Sequence, residues 1–216
     1  LTHKLDQELL RDAMQNLRIH GCLKGNKKRL VLTQRGEECA FLPAQFELGI
    51  LLTEAKEKGI SDIAVLCVAV IEAGGIAKIG TGTDTSLWRV LCHDENKMDP
   101  LAHVILLIEA HRRYLESEGS DEKFHELMDQ VGLDPQRYNR AIEAIDMLLK
   151  GSDSFRIPEK LPNSDTRKKL TECFVKAFQA HAFLQLSESL FLSKYDGERM
   201  LPKDTVLKTS SMSSSV

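Results

Sequence analysis

The chain has 216 residues, 42% hydrophobic and 28% charged, an ordinary globular composition with ample material for a core. Its net charge of −3 excludes a surface that is basic throughout, so any contact with nucleic acid must be local or shared with other parts. The longest apolar run, residues 63–71, falls well short of the roughly 20 residues of a membrane span, and the first residues do not read as a signal peptide.

The first residue is Leu1, which reads as a processed product or an excised piece. The five cysteines, Cys22, Cys39, Cys67, Cys92 and Cys173, are widely spaced with no Cys-x-x-Cys pair. They read as free thiols of a reducing compartment, so the protein is expected inside the cell, in cytoplasm or nucleus.

Residues 5–19 place Leu5, Leu9, Ala13, Met14 and Leu17 on one helical face, and Gly21 ends that helix. Two short apolar runs follow, flanking Lys24-Gly25-Asn26-Lys27-Lys28-Arg29, with Gly25-Asn26 as the hairpin turn signal. The basic tip, Lys27, Lys28 and Arg29 above all, reads either as a solvated loop or as a wing that contacts phosphate. Thr33 then caps a short helix with Glu37 in its first turns, and Pro43 forces Leu42 out of the helical region. Helix, hairpin and short helix make the outline of a winged-helix module over residues 1–43.

A helical bundle is expected over 44–150. Its first helix covers 44–58, with Leu48, Leu51, Leu52 and Ala55 as the buried stripe and Gly59 as the stop. Its second runs from a Ser61 cap to about Ala73, is apolar nearly all round, and belongs at the centre. The glycine-rich stretch from Gly74 to Ser86 lacks the Gly-Lys pair of a P-loop and reads as a connecting loop. Asp99-Pro100 opens a helix that buries Leu101, Val104, Ile105, Leu107 and Ile108 and carries Arg112 and Arg113 beyond them. Ser120 caps another, closed by Gly132, and Asp134-Pro135 opens one with Tyr138, Ala141, Ile142, Ile145, Leu148 and Leu149 at helical spacing.

Residues 151–188 read as a linker followed by a helix after Asp165, with Leu170, Cys173, Phe174, Ala177, Phe178, His181 and Ala182 as its stripe. Over 189–216 the character becomes β. Residues 190–195 are strand-like, Asp196-Gly197 is a hairpin signal, 199–201 and 205–207 follow, and the serine-rich tail reads as disordered. The expected fold is mainly α: a winged-helix module, a helical bundle, and a short, partial OB-like β end.

Chemistry is harder to find. No Ser-His-Asp or Gly-x-Ser-x-Gly pattern and no His-x-x-x-His spacing occurs. His103 and His111 do not make a metal site, His181 reads as a satisfied imidazole, and Glu37-Glu38 as solvated carboxylates. The chain by itself shows no active site.

The pattern Leu32-Thr33, Gly36, Ala40, Leu42-Pro43, preceded by Leu17 and Gly21, resembles the start of the helicase-associated region of DEAH/RHA-type RNA helicases. The resemblance extends through residues 44–73, through Asp99 with Leu101 and the helix after them, and through Phe174, Ala177, Phe178 and Ala182. It ends on Tyr195, Asp196-Gly197 and Thr205-Val206-Leu207. The chain departs from that family at Ala44-Gln45, where Asp-Pro is usual, and at 201–205, where a histidine-proline-serine-serine run is usual. The resemblance implies a winged helix, a ratchet bundle and the start of an OB-fold. It implies no ATPase site here, with ATP and magnesium belonging to motor domains upstream. The implied partners are single-stranded RNA, those motor domains, and an activator protein at the OB-like end, with no membrane. Arg112, Arg113, Lys194, Lys208 and the hairpin's Lys27, Lys28 and Arg29 are the candidate RNA contacts, chosen by charge and position. A helical protein-interaction scaffold and a winged-helix DNA-binding regulator are the alternatives.

Overall fold

The computed structural model describes residues 6–26, 29–78, 98–116, 126, 132–149, 156–158, 160–179, 183–185, 190–193 and 197–200. Within them the protein is mainly helical, with two small antiparallel sheets. Helix α1 spans Gln7–Ile19, β1 Leu23–Asn26, β2 Arg29–Leu32, α2 Gln34–Phe41, α3 Phe46–Glu57 and α4 Ser61–Glu72. Then come α5 (Asp99–Glu116), α6 (Pro135–Leu149), α7 (Ser164–Ala177), and strands β3 (Phe183–Gln185), β4 (Leu190–Ser193) and β5 (Gly197–Met200).

Local chemistry explains the element ends. Asp6 caps α1 through its side chain, which accepts from Glu8 N–H at 2.9 Å. At its other end Gly21 takes a positive φ of 71°, and the N–H groups of Gly21 and Cys22 return to the carbonyls of Arg18 (2.9 Å) and Leu17 (2.8 Å). Gly59 closes α3 in the same way. Thr33 caps α2, and Leu42 leaves the helix in an extended conformation (φ −77°, ψ 132°), as Pro43 requires. Asp134 caps α6 with bonds from Gln136 and Arg137 N–H at 3.0 and 3.1 Å.

Several element details differ from expectation. Ser61 is the first helical residue of α4 and its side chain makes no cap bond; Ile60 holds the cap position. The cap of α7 is Asn163, whose Oδ1 accepts from Thr166 N–H at 2.8 Å, so that helix starts before Asp165. In the first hairpin Gly25 and Asn26 are strand residues, with Asn26 paired to Arg29, so the expected turn does not fall on them. In the second, Gly197 pairs with Ser193, so the connection is 194–196 and Gly197 belongs to β5. Strand β3, which pairs with β4, has no counterpart in the sequence reading. Of the helix expected over 120–131, only Glu126 is described, and the strand expected at 205–207 lies outside the described residues.

The core centres on α4, where every residue from Ile63 to Val70 is buried. It packs against α3, α5 and α6, while α7 lies along α3. An apolar helix surrounded in this way needs no polar face. Helix α5 contributes Leu101, Val104 and Ile105 through Ile108 to the same cluster. A short antiparallel bridge, Ala77 to Leu133, ties the segment after α4 to the start of α6, and Ile76 is fully buried beneath it.

The N-terminal elements behave differently. Helix α1 is amphipathic yet has no buried residue, and Leu30, Val31 and Leu32 of β2 are all exposed. Phe41, at the end of α2, is 76% exposed. The apolar periodicity of residues 5–19 thus marks a face covered only at its end, where Leu17 is half-buried against the core while Leu9 stays exposed.

Candidate nucleic-acid interface

The hairpin places two of its cations in view. Lys24 and Arg29 are exposed strand residues, and Arg29 N–H donates to Asn26 Oδ1 at 3.1 Å across the tip. Lys27 and Lys28 lie outside the described residues, as do Lys194 and Lys208. The pairing of Asn26 with Arg29 fixes where the two described strands end, with Lys27-Lys28 between them in sequence.

The other candidate pair sits at the end of α5. Arg112 and Arg113 converge on one carboxylate, Glu109, at the helical spacings of three and four residues. Arg112 donates through Nε (3.1 Å) and Nη2 (2.8 Å), and Arg113 through Nε (2.8 Å). The hydrogen bond from Arg112 holds the Glu109 carboxyl below its usual range; burial opposes the shift and Arg113 adds to it. Two guanidiniums therefore converge on one carboxylate at the end of the helix. Glu109 was absent from the sequence candidates, although Glu-x-x-Arg-Arg on a helix is itself the signal.

No family model matches the chain, and no curated protein matches it either.

A third cluster of charge sits between helices. Glu54 of α3, 7% exposed at its side chain, takes Arg35 of α2 on Oε1 and Lys176 of α7 on Oε2 at 2.8 Å. Arg35 also reaches Glu57 at 3.1 Å. Burial pushes the Glu54 carboxyl up, but the bonds from Lys176 and Arg35 outweigh it and leave its pKa lowered. Nearby, Lys58 and Glu172 join α3 to α7 at 2.7 Å. This cluster fastens three helices, and it engages the one cation of α2. That helix offers a DNA groove no guanidinium or ammonium other than Arg35, and it carries Glu37 and Glu38.

The glycine-rich segment is described only at its start. Gly74 O accepts from Arg137 Nη1 at 3.1 Å. Gly75 packs under the His103 imidazole, where an added Cβ would lie 2.9 Å from Nε2, and Ile76 N–H donates to His103 Nδ1 at 3.2 Å. These glycines join α4 to α5 and α6. Among the described residues no three His, Cys, Asp or Glu side chains converge as a metal site, and no helix is long and apolar enough to cross a membrane.

Proposed function

We propose that this chain is an accessory C-terminal region of an ATP-dependent DEAH-type RNA helicase. It contributes to single-stranded RNA binding and translocation and to partner docking, and it has no ATPase site of its own. In this reading α1, the hairpin and α2 form the winged-helix-like part, α3 to α6 the ratchet-like bundle, and β3 to β5 the start of an OB-like barrel. ATP and magnesium act in upstream motor domains, and an activator protein docks at the OB-like end.

The observation that carries the reading is the joint at Thr33 and Gly36. The Thr33 hydroxyl donates to Gly21 O at 2.7 Å and accepts from Gly36 N–H at 3.1 Å, while Thr33 N–H donates to Cys22 O at 3.0 Å. Gly36 sits so close to the Cys22 backbone that an added Cβ would collide with the Cys22 carbonyl. The Leu-Thr-x-x-Gly residues that carry the family resemblance are therefore the residues that lock α2 onto the end of α1. The order of elements, from helix and hairpin through bundle to antiparallel sheet, supports the same reading.

RNA contacts in this account go to phosphate, since a translocating tunnel must accept any sequence. The hairpin tip and the Arg112/Arg113 pair supply them. The reading is tested by fluorescence anisotropy of the full chain on labelled poly-U at low salt. Replacing Lys27, Lys28 and Arg29 by glutamate is expected to weaken binding at least about tenfold. Unchanged affinity in that variant would remove the hairpin from the interface.

The exposed apolar residues of α1, β2 and Phe41 favour protein contact at the N-terminal end as well. The scaffold alternative rests on that observation. The DNA regulator has less support, because the cation of α2 is engaged by Glu54 and Glu57.

A further inference from the structure

Two of the cysteines come together. Cys22 lies in the turn after α1 and is 1% exposed; Cys39 lies on α2 and is half-buried. Both line one apolar groove of about 380 Å³, walled also by Leu17, Leu32, Ala40 and Phe46. The close approach of Gly36 brings α2 against the Cys22 backbone, and Cys39 stands one helical turn further along. The two cysteines thus face one groove from adjoining segments. Cys39 Sγ also lies 3.9 Å from Thr53 Oγ1, and Cys22 Sγ lies 3.9 Å from the His20 carbonyl. Cys67 and Cys173 are buried in α4 and α7, away from this groove.

We propose that Cys22 and Cys39 form a thiol–disulfide exchange site for small disulfides of the glutathione class. Cys39 is the thiol reached from the groove and Cys22 is the resolving thiol. The Cys39 thiolate attacks one sulfur of glutathione disulfide; that S–S bond breaks, and one glutathione leaves as thiolate and takes up a proton. The Cys22 thiol gives its proton to solvent and its sulfur attacks Cys39 Sγ, expelling the second glutathione. One glutathione disulfide thus becomes two thiols, and two protein thiols become one disulfide. The product ties the end of α1 to α2 and closes the hairpin into a loop. Burial pushes the Cys22 thiol up to about 11, with Cys39 adding to the shift, so the resolving step is the slower one and quickens as pH rises. The proposal is independent of the RNA reading.

The test uses the full native chain, incubated with glutathione disulfide, alkylated and digested with trypsin. Cleavage after Arg18, Lys24, Arg35 and Lys56 puts Cys22 on peptide 19–24 and Cys39 on peptide 36–56. The expected product is these two peptides joined, lighter by two hydrogens than their sum. Cys22→Ser is expected to halt at a glutathione adduct on Cys39, and the wild-type map decides alone should that variant fail to fold. Two alkylated peptides, a glutathione adduct persisting on Cys39 in the wild type, or Cys22 joined to another cysteine would each overturn the proposal.

Discussion

At the residue scale, Thr33 and Gly36 do more than start a helix. One hydroxyl accepts from Gly36 and donates to Gly21, so Thr33→Ala loses a cap and a bond between segments together. The expected cost is about 1–2 kcal/mol, read from the urea midpoint. Gly36→Ala drives a methyl into the Cys22 carbonyl, and backbone cannot step aside as a flexible side chain does. A loss of about 2–3 kcal/mol is expected in the same measurement. Glu54→Gln leaves Arg35 short of its partner between helices, a change that costs about 3–5 kcal/mol where all charges are buried. Lys176 is 59% exposed and hydrates when released, so about 2 kcal/mol is the expected loss here. Acid acts on this neighbourhood twice. Burial lowers the His20 pKa, with Arg35 adding to the effect, so below 6.5 the unfolded chain takes up a proton that the folded chain resists. The net shift of Glu54 is also downward, so its contribution is complete above 4.5 and is lost as pH falls through the lowered folded value. Urea midpoints are therefore expected to decline from pH 6.5 downward, with His20→Gln flattening the upper part of that decline.

At the element scale, what the sequence made legible was whatever neighbours in the chain decide. Thr33, Pro43, Gly59 and Asp134 mark their helix ends because capping and backbone restriction act within a few residues. The all-apolar run of α4 announced its central place for the same reason. Gly25-Asn26 carries the strongest local turn preference, yet both residues are held in β1 by pairing with Leu30 and Arg29. Strand β3 escaped notice because Phe183–Gln185 follows directly on a helical pattern and gains strand identity only by pairing with β4. The Arg35–Glu54–Lys176 cluster joins residues far apart in sequence, and no local pattern signals it. At the end of α5, by contrast, local spacing dictates a test. Glu109→Gln removes the charge that Arg112 and Arg113 share, and RNA affinity is expected to rise about two- to threefold in anisotropy titrations. An unchanged affinity would place that helix end off the RNA path.

At the scale of the whole molecule, two kinds of surface meet. The bundle around α4 holds the buried core, with Leu115, Met147 and Val175 left at its surface, whereas α1, β2 and Phe41 leave much of their apolar surface exposed beside a basic hairpin. A net charge of −3 does not oppose RNA binding when the cations are gathered at a tip and a helix end. It does require that binding depend on those few contacts. The most direct measurement is anisotropy of the full chain on labelled poly-U and on duplex DNA across a salt series. The account predicts single-strand binding that weakens with salt. With Lys27, Lys28, Arg29, Arg112 and Arg113 each neutralising a phosphate at about −0.7, the log–log slope is expected at about −3.5. It also predicts weaker binding to the duplex. No binding to poly-U at low salt, or a preference for the duplex, would contradict it.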